Sequence, residues 1–167
     1  PKTLPDYISP LAGSMADLDR LVEVLDQDFD VVVATLTPDG FNPEAYQRAY
    51  VDSAKTLASA MALATSVPKL VIWVSSTSVY GNCDGDWVDE QSPTTALSFS
   101  GKLLLEAEQQ ITDLPCPTVI VRFSGIYGPG RTPPPAHPPP PLPRTPPGAS
   151  HPPPPPPPTT PPHSSHC

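Results

Sequence analysis

Leu18, Leu21, Val22 and Leu25 recur at the i, i+3, i+4, i+7 spacing of one helical face and predict an amphipathic helix over about 15–27. Ser14, three residues before Asp17, opens it as a variant capping box with Asp in place of Glu or Gln. The next apolar stretch has no helical period. Asp30-Val-Val-Val-Ala-Thr-Leu36 is a continuous β-branched run, the pattern of a strand covered on both faces, and it points to a parallel sheet. Thr37-Pro-Asp-Gly40 is turn chemistry. Asn42, Pro43 and Glu44 then supply an N-cap, a proline at the first helical position and a first-turn acid for a long helix to about residue 65. Leu70-Val-Ile-Trp-Val74 predicts a second buried strand, which runs into the hydroxyl-rich Ser75-Ser-Thr-Ser78. A polar segment over 81–93 leads to a third helix at about 97–112, with Leu103, Leu104, Ala107 and Ile111 on one face. Pro115 and Pro117 break it, and Thr118-Val-Ile-Val-Arg122 forms a third buried strand.

Helices alternating with strands that are apolar throughout are the signature of right-handed βαβ crossovers. The expected fold class is therefore α/β, part of a Rossmann-like doubly wound parallel sheet with helices on both sides. Ligands of such sheets sit beyond the carboxyl ends of the strands. Those ends are 34–37, 75–78 and 123–126, all rich in small or hydroxyl residues.

Composition divides the chain in two. Of 29 prolines, 19 follow Arg131, and residues 132–167 contain no Asp, Glu, Lys, Val, Ile, Met or aromatic residue. That tail cannot bury enough apolar surface to offset the entropy of ordering it, so it is expected to be disordered. The expected organisation is a partial Rossmann-like domain over 1–131 and a proline-rich tail over 132–167. Three readings of the tail are open, one of them a rigid polyproline spacer, although nothing follows it to be spaced. Polyproline II segments bind SH3, WW or profilin-type grooves, although Arg131 and Arg144 complete no RxxPxxP or PxxPxR pattern. The favoured alternative is a GC-rich gene translated in a shifted frame after Arg131, which the C-rich codons of the tail alphabet suggest.

All four histidines, His137, His151, His163 and His166, lie in the tail, and the body holds 8 basic against 17 acidic residues, a balance of −9. The body cannot assemble a Ser-His-Asp or Cys-His nucleophile or a His-ligated metal site, and no metal is expected. An acidic body lacks the basic footprint that phosphate backbones require, so nucleic acid is not an expected partner. Cys83, Cys116 and Cys167 have no CxxC spacing and read as reduced thiols of a cytoplasmic protein. No apolar run approaches the roughly 20 residues of a spanning helix, and the membrane is not an expected partner. Asp84-Gly-Asp-Trp-Val-Asp-Glu90 lacks the glycine and closing Glu of an EF-hand and reads as a solvated loop, with Trp87 folding back onto the body.

Four segments are specific enough to suggest a family. Val74-Ser-Ser-Thr-Ser-Val-Tyr-Gly81, Val88-Asp-Glu-Gln-Ser-Pro93, Gly101-Lys-Leu-Leu-Leu-Glu-Ala-Glu108 and Val121-Arg-Phe-Ser-Gly-Ile-Tyr-Gly-Pro-Gly130 occur in that order. The stretch from about 15 to Arg131 resembles the NAD-dependent epimerase/dehydratase branch of the short-chain dehydrogenase/reductase superfamily. The resemblance implies NAD or NADP as cofactor and a small-molecule substrate such as a nucleotide sugar. It further implies that Ser76, four residues before the tyrosine of the VYG motif, polarises the substrate oxygen and that Lys102 holds the nicotinamide ribose. Ser76 and Lys102 are the expected catalytic residues. Ala34, Thr35, Ser75, Lys102, Phe123, Ser124 and Ile126 are the expected cofactor-binding residues.

The sequence departs from this family twice. Four residues before Lys102, where the family places a catalytic tyrosine, stands Ser98, in a Ser98-Phe-Ser-Gly101 stretch similar to an atypical subset of the family. A serine hydroxyl lacks the phenol's pKa near 10, so an ammonium cannot tune it into a base at neutral pH. Tyr80 and Tyr127 are the nearest other phenols and read as packing residues. The family's Gly-rich pyrophosphate turn is also missing, since Gly125, Gly128 and Gly130 run into Arg131-Thr-Pro-Pro without a following helix. The expectation is a truncated family member whose first two strands lie upstream of Pro1, leaving strand 30–36 as an exposed apolar edge. Beside the ribose role, Lys102 has a plain alternative as the i, i+4 ion-pair partner of Glu106.

Overall fold

The computed structural model describes residues 5–81 and 87–126. The chain divides after Ile126, and the second unit lies outside the described residues. The expectations for the tail, for Tyr127 and Gly128 to Arg131, and for Asp84 to Asp86 fall there as well.

Helix α1 (Leu18–Leu25) is shorter than its sequence pattern because Asp17, not Ser14, is the N-cap, accepting the Arg20 N–H at 3.0 Å. Strand β1 (Val31–Ala34) follows, after Asp28 at φ 60°. The helix expected as one piece from Pro43 is three: α2 (Pro43–Tyr46), a π-helical segment (Gln47–Asp52) and α3 (Ser53–Leu63). Asn42 caps α2 through the Ala45 N–H at 2.8 Å, as its sequence position predicts. Strand β2 (Leu70–Ser76) passes through a 3₁₀ turn (Thr77–Val79), α4 (Phe99–Thr112) follows the 87–98 stretch, and β3 (Thr118–Phe123) ends the described core.

The three strands form one parallel sheet in the order β1-β2-β3, with Val33 opposite Ile72, and Ile72 opposite Val119. This is the expected Rossmann-like arrangement. The covering of the sheet differs from the expectation. Val71 and Trp73 are fully buried under a core built with Leu25 of α1, Leu57 and Met61 of α3 and Ile111 of α4. The alternate residues face the other way, and Val31, Val33, Val119 and Phe123 are about half exposed, at 47%, 57%, 46% and 47%. Among the described residues, helices pack on one face only. The strands carry apolar residues suited to two buried faces, and one of these is uncovered.

Candidate functional site

The carboxyl end of β2 is shaped by its own hydroxyls. Ser76 Oγ accepts the Ser78 N–H at 3.2 Å and so caps the 77–79 turn, which Val79 anchors in the interior. The turn then meets α4 without an intervening side chain. A β-carbon on Gly101 would lie 2.3 Å from the Ser78 carbonyl oxygen, so only glycine permits this approach. The residue after Gly101 is Lys102, exposed on the first turns of α4. The structure thus brings the Ser76 turn and the Lys102 helix together.

Lys102 does not pair with Glu106. Glu106 reaches across to Lys55 of α3 at 3.3 Å, and Lys102 makes no ion pair among the described residues. Ser98 is the N-cap of α4: its Oγ accepts the Gly101 N–H at 3.0 Å and lies 3.0 Å from Ser100 Oγ. The hydroxyl at the position of the family tyrosine is occupied in starting the helix.

The remaining expected residues are spread more widely. Thr35, Ser124 and Ile126 are exposed beyond the strands and Phe123 is exposed on the last residue of β3, whereas the Ala34 side chain is packed in the core. Ser75 faces the helices, 6% exposed, and donates to Glu108 Oε1 at 2.6 Å. Trp87 is fully exposed and does not fold back onto the body.

Glu108, which the motifs did not single out, is at the centre of a buried polar network. Arg122 of β3 grips its carboxylate in a fork, Nε to Oε1 at 3.1 Å and Nη2 to Oε2 at 2.7 Å. The hydrogen bond from Arg122 to Glu108 holds the guanidinium proton more firmly than usual, more than offsetting the partial burial of the charge. Arg122 Nη1 also donates to Tyr80 Oη at 3.0 Å, its guanidinium carbon 5.1 Å from the ring centroid. Tyr80 Oη donates in turn to the Asp89 carbonyl at 2.8 Å. Tyr80 is thereby committed to packing and tethering. The Ser92 hydroxyl and the backbone N–H of Gln91 bond the Asp89 carboxylate and lower its pKa from the ordinary range. Tyr80, Asp89, Thr77 and Arg122 line a cleft of about 500 Å³ at the β3 edge. A second cleft of about 320 Å³ opens at the carboxyl end of β1, between Ser14, Leu36, Thr37 and Arg48.

No family model matches the sequence. A protein from Methylobacillus flagellatus assigned as an NAD-dependent epimerase/dehydratase superposes with a TM-score of 0.60 at 33% identity, over 78% of this chain and 44% of its own. The chain carries part of the NAD-dependent epimerase/dehydratase fold. MoeE5, solved with UDP-glucuronic acid and NAD, matches with a TM-score of 0.63 at 28% identity over 78% of this chain and 46% of its own. The UDP-glucuronic acid 4-epimerase of Bacillus cereus, solved with NAD, gives 0.56 at 26% identity over 67% and 38%. Protein YeeZ of Escherichia coli K12 is 37% identical over 123 residues, 71% of this chain and 41% of YeeZ. The chain therefore spans less than half the length of each of these proteins.

Proposed function

We propose that residues 1–131 form the part of an NAD(P)-dependent epimerase/dehydratase domain that faces the nicotinamide and the substrate, with residues 132–167 as a separate tail. The substrate class is a nucleotide sugar or a similar hydroxyl/carbonyl compound. The observation that carries this reading is the contact of Ser78 on Gly101, which fixes the Ser76 turn beside Lys102. In this reading Ser76 hydrogen-bonds the reacting substrate oxygen and Lys102 holds the ribose hydroxyls, with Thr35, Phe123, Ser124 and Ile126 bordering the cofactor. NAD(P), when bound, supplies the hydride acceptor or donor.

The described residues fit only half of this cofactor. A pyrophosphate needs free backbone N–H groups at a helix N-terminus. Here Asp17 puts its own carboxylate on the start of α1, Asn42 caps α2 with Glu44 in its first turn, and Ser98 closes the start of α4. Each charge-assisted hydrogen bond is worth about 1.5 to 3 kcal/mol. Two or three missing donors amount to several powers of ten in affinity at about 1.4 kcal/mol per decade. With no free helix N-terminus of this kind among the described residues, weak NAD(P) binding is the expected result. A second reading, a non-catalytic binding or interaction module, draws its support from Ser98 acting as a cap where the family tyrosine would stand.

Titration of the purified chain with NADH and NADPH, followed by fluorescence or calorimetry, tests the affinity. No saturation is expected in the micromolar range, and micromolar binding would overturn that part. Saturation-transfer NMR with nicotinamide mononucleotide tests the site. A signal that Lys102→Met removes supports the reading, and the absence of any signal in the native chain refutes it.

A further inference from the structure

Glu108 is 4% exposed and lies on the apolar stripe of α4 with Leu104, Ala107 and Ile111. A carboxylate there costs stability unless it is fully paired, and an apolar residue would fill the same place at no such cost. Its carboxylate is held from two strands, and a third residue joins through one of them. Ser75 is the last helix-facing residue of β2 and immediately precedes Ser76. Arg122 pairs with Ser75 in the β2–β3 register. Tyr80, reached through Arg122, follows the 77–79 turn and ties the backbone of Asp89 to the same group.

The bonds thus run in one line from the 89–92 loop through Tyr80, Arg122 and Glu108 to Ser75. They brace both ends of the Ser76–Val79 turn, and they fasten that turn to the helix that carries Lys102. We infer that Glu108 and Arg122 are positioning residues: acting through Ser75 and Tyr80, they hold the Ser76 turn and the 89–92 loop in register with Lys102. The inference rests on the function proposed above, because it gives the register something to serve. Neither residue touches the substrate or cofactor. The fork geometry matters because a guanidinium can bond both carboxylate oxygens and still offer a third N–H to Tyr80, which an ammonium cannot do in one plane.

The test separates positioning from stability. A buried ion pair replaced on both sides by well-packed apolar residues commonly leaves a fold as stable as before. Glu108→Met with Arg122→Met in the full chain is expected to keep the unfolding midpoint at or above that of the native chain. The amides of Ser78, Tyr80 and Ser92 should exchange at least about tenfold faster, while those of α3 are unchanged and the nicotinamide mononucleotide signal falls. Unchanged exchange at those three amides would overturn the inference. A lowered midpoint with exchange raised uniformly would also overturn it, since the pair would then be structural. Should the double variant not fold, Tyr80→Phe decides: it keeps the ring under Arg122 and removes the hydroxyl that joins Arg122 Nη1 to the Asp89 carbonyl. Faster exchange at Ser92 is expected, and unchanged exchange overturns the inference. Absence of a nicotinamide mononucleotide signal in the native chain would count against the proposed function, leaving the exchange comparison to judge this inference by itself.

Discussion

Ser78 and Gly101 meet backbone to backbone, with room for a hydrogen but not for a methyl group: a β-carbon on Gly101 would also lie 2.8 Å from the Ala96 β-carbon. Neither the Ser78 carbonyl nor the α4 backbone is the flexible end of a side chain, so the contact cannot yield cheaply. Gly101→Ala should destabilise the chain by about 1 to 3 kcal/mol through overpacking, despite the better helix propensity of alanine. Urea denaturation of the two proteins measures it, and a neutral or stabilising change would show that the contact is looser than described.

Ser98 begins α4 through the Gly101 N–H. Ser98→Ala is expected to cost about 1 kcal/mol, whereas Ser98→Asp, which offers an equivalent acceptor, should cost little. Ser98→Tyr forfeits the cap as well. Equal stability of the Ala and Asp variants in chemical denaturation would argue against the capping role.

Asp26 joins the end of α1 to the chain after α3. The Thr65 N–H at 2.7 Å, then the Thr65 hydroxyl at 2.9 Å, bond its carboxylate and lower its pKa below the ordinary 3.8. A carboxyl whose folded pKa lies below its unfolded one contributes stability in full above the unfolded value, and this contribution is lost as pH falls through the folded one. The unfolding midpoint of the native chain should therefore drop more between about pH 6 and about pH 3 than that of Asp26→Asn. Parallel curves for the two proteins would exclude the coupling.

The open sheet face predicts self-association. Val31 and Val33 of β1 and Val119 and Phe123 of β3 present half-exposed apolar side chains, and β1 and β3 are both edge strands among the described residues. Val33→Lys with Val119→Lys should shift light scattering and sedimentation toward the monomer while changing stability by no more than about 0.5 kcal/mol per site. Scattering that does not change with these substitutions would mean that the face is not the contact.

The parallel sheet was legible because Val31 to Ala34, Leu70 to Val74 and Val119 to Val121 are apolar without alternation. The same evenness concealed which face the helices cover, since both faces read alike. Asn42 and Pro43 announced α2 through cap chemistry, whereas Ser14 misled because Asp17 offers a better-placed acceptor one turn later. Lys102 with Glu106 looked like a local pair, and the sequence held no sign that Lys55 would arrive from another helix. Glu108 could have been found: it sits four residues after Leu104 and three before Ile111, on a stripe that should be apolar. A charge there calls for a buried partner, and Arg122, within an otherwise apolar strand, is the matching anomaly. Their connection through Ser75 and Tyr80 depends on strand register, which local sequence does not encode.

The wide turn at 47–52 has a consequence for how the sequence is phased. A turn closed by i→i+5 bonds holds about one residue more than an α turn, and Ser53 Oγ, bonded to the Arg48 carbonyl at 3.2 Å, lies against this stretch. Since each residue of an α-helix advances the azimuth by about 100°, an uninterrupted helix would present its second half rotated by roughly that angle. The wide turn acts as a phase shifter. It lets Tyr46 and Tyr50 gather with Phe41 and Phe99 near the end of β1, while Ala54, Leu57 and Met61 still point at the sheet. Deleting one residue from 47–52 would give a more regular helix and a mismatched one, with either the aromatic group or the core facing the wrong way.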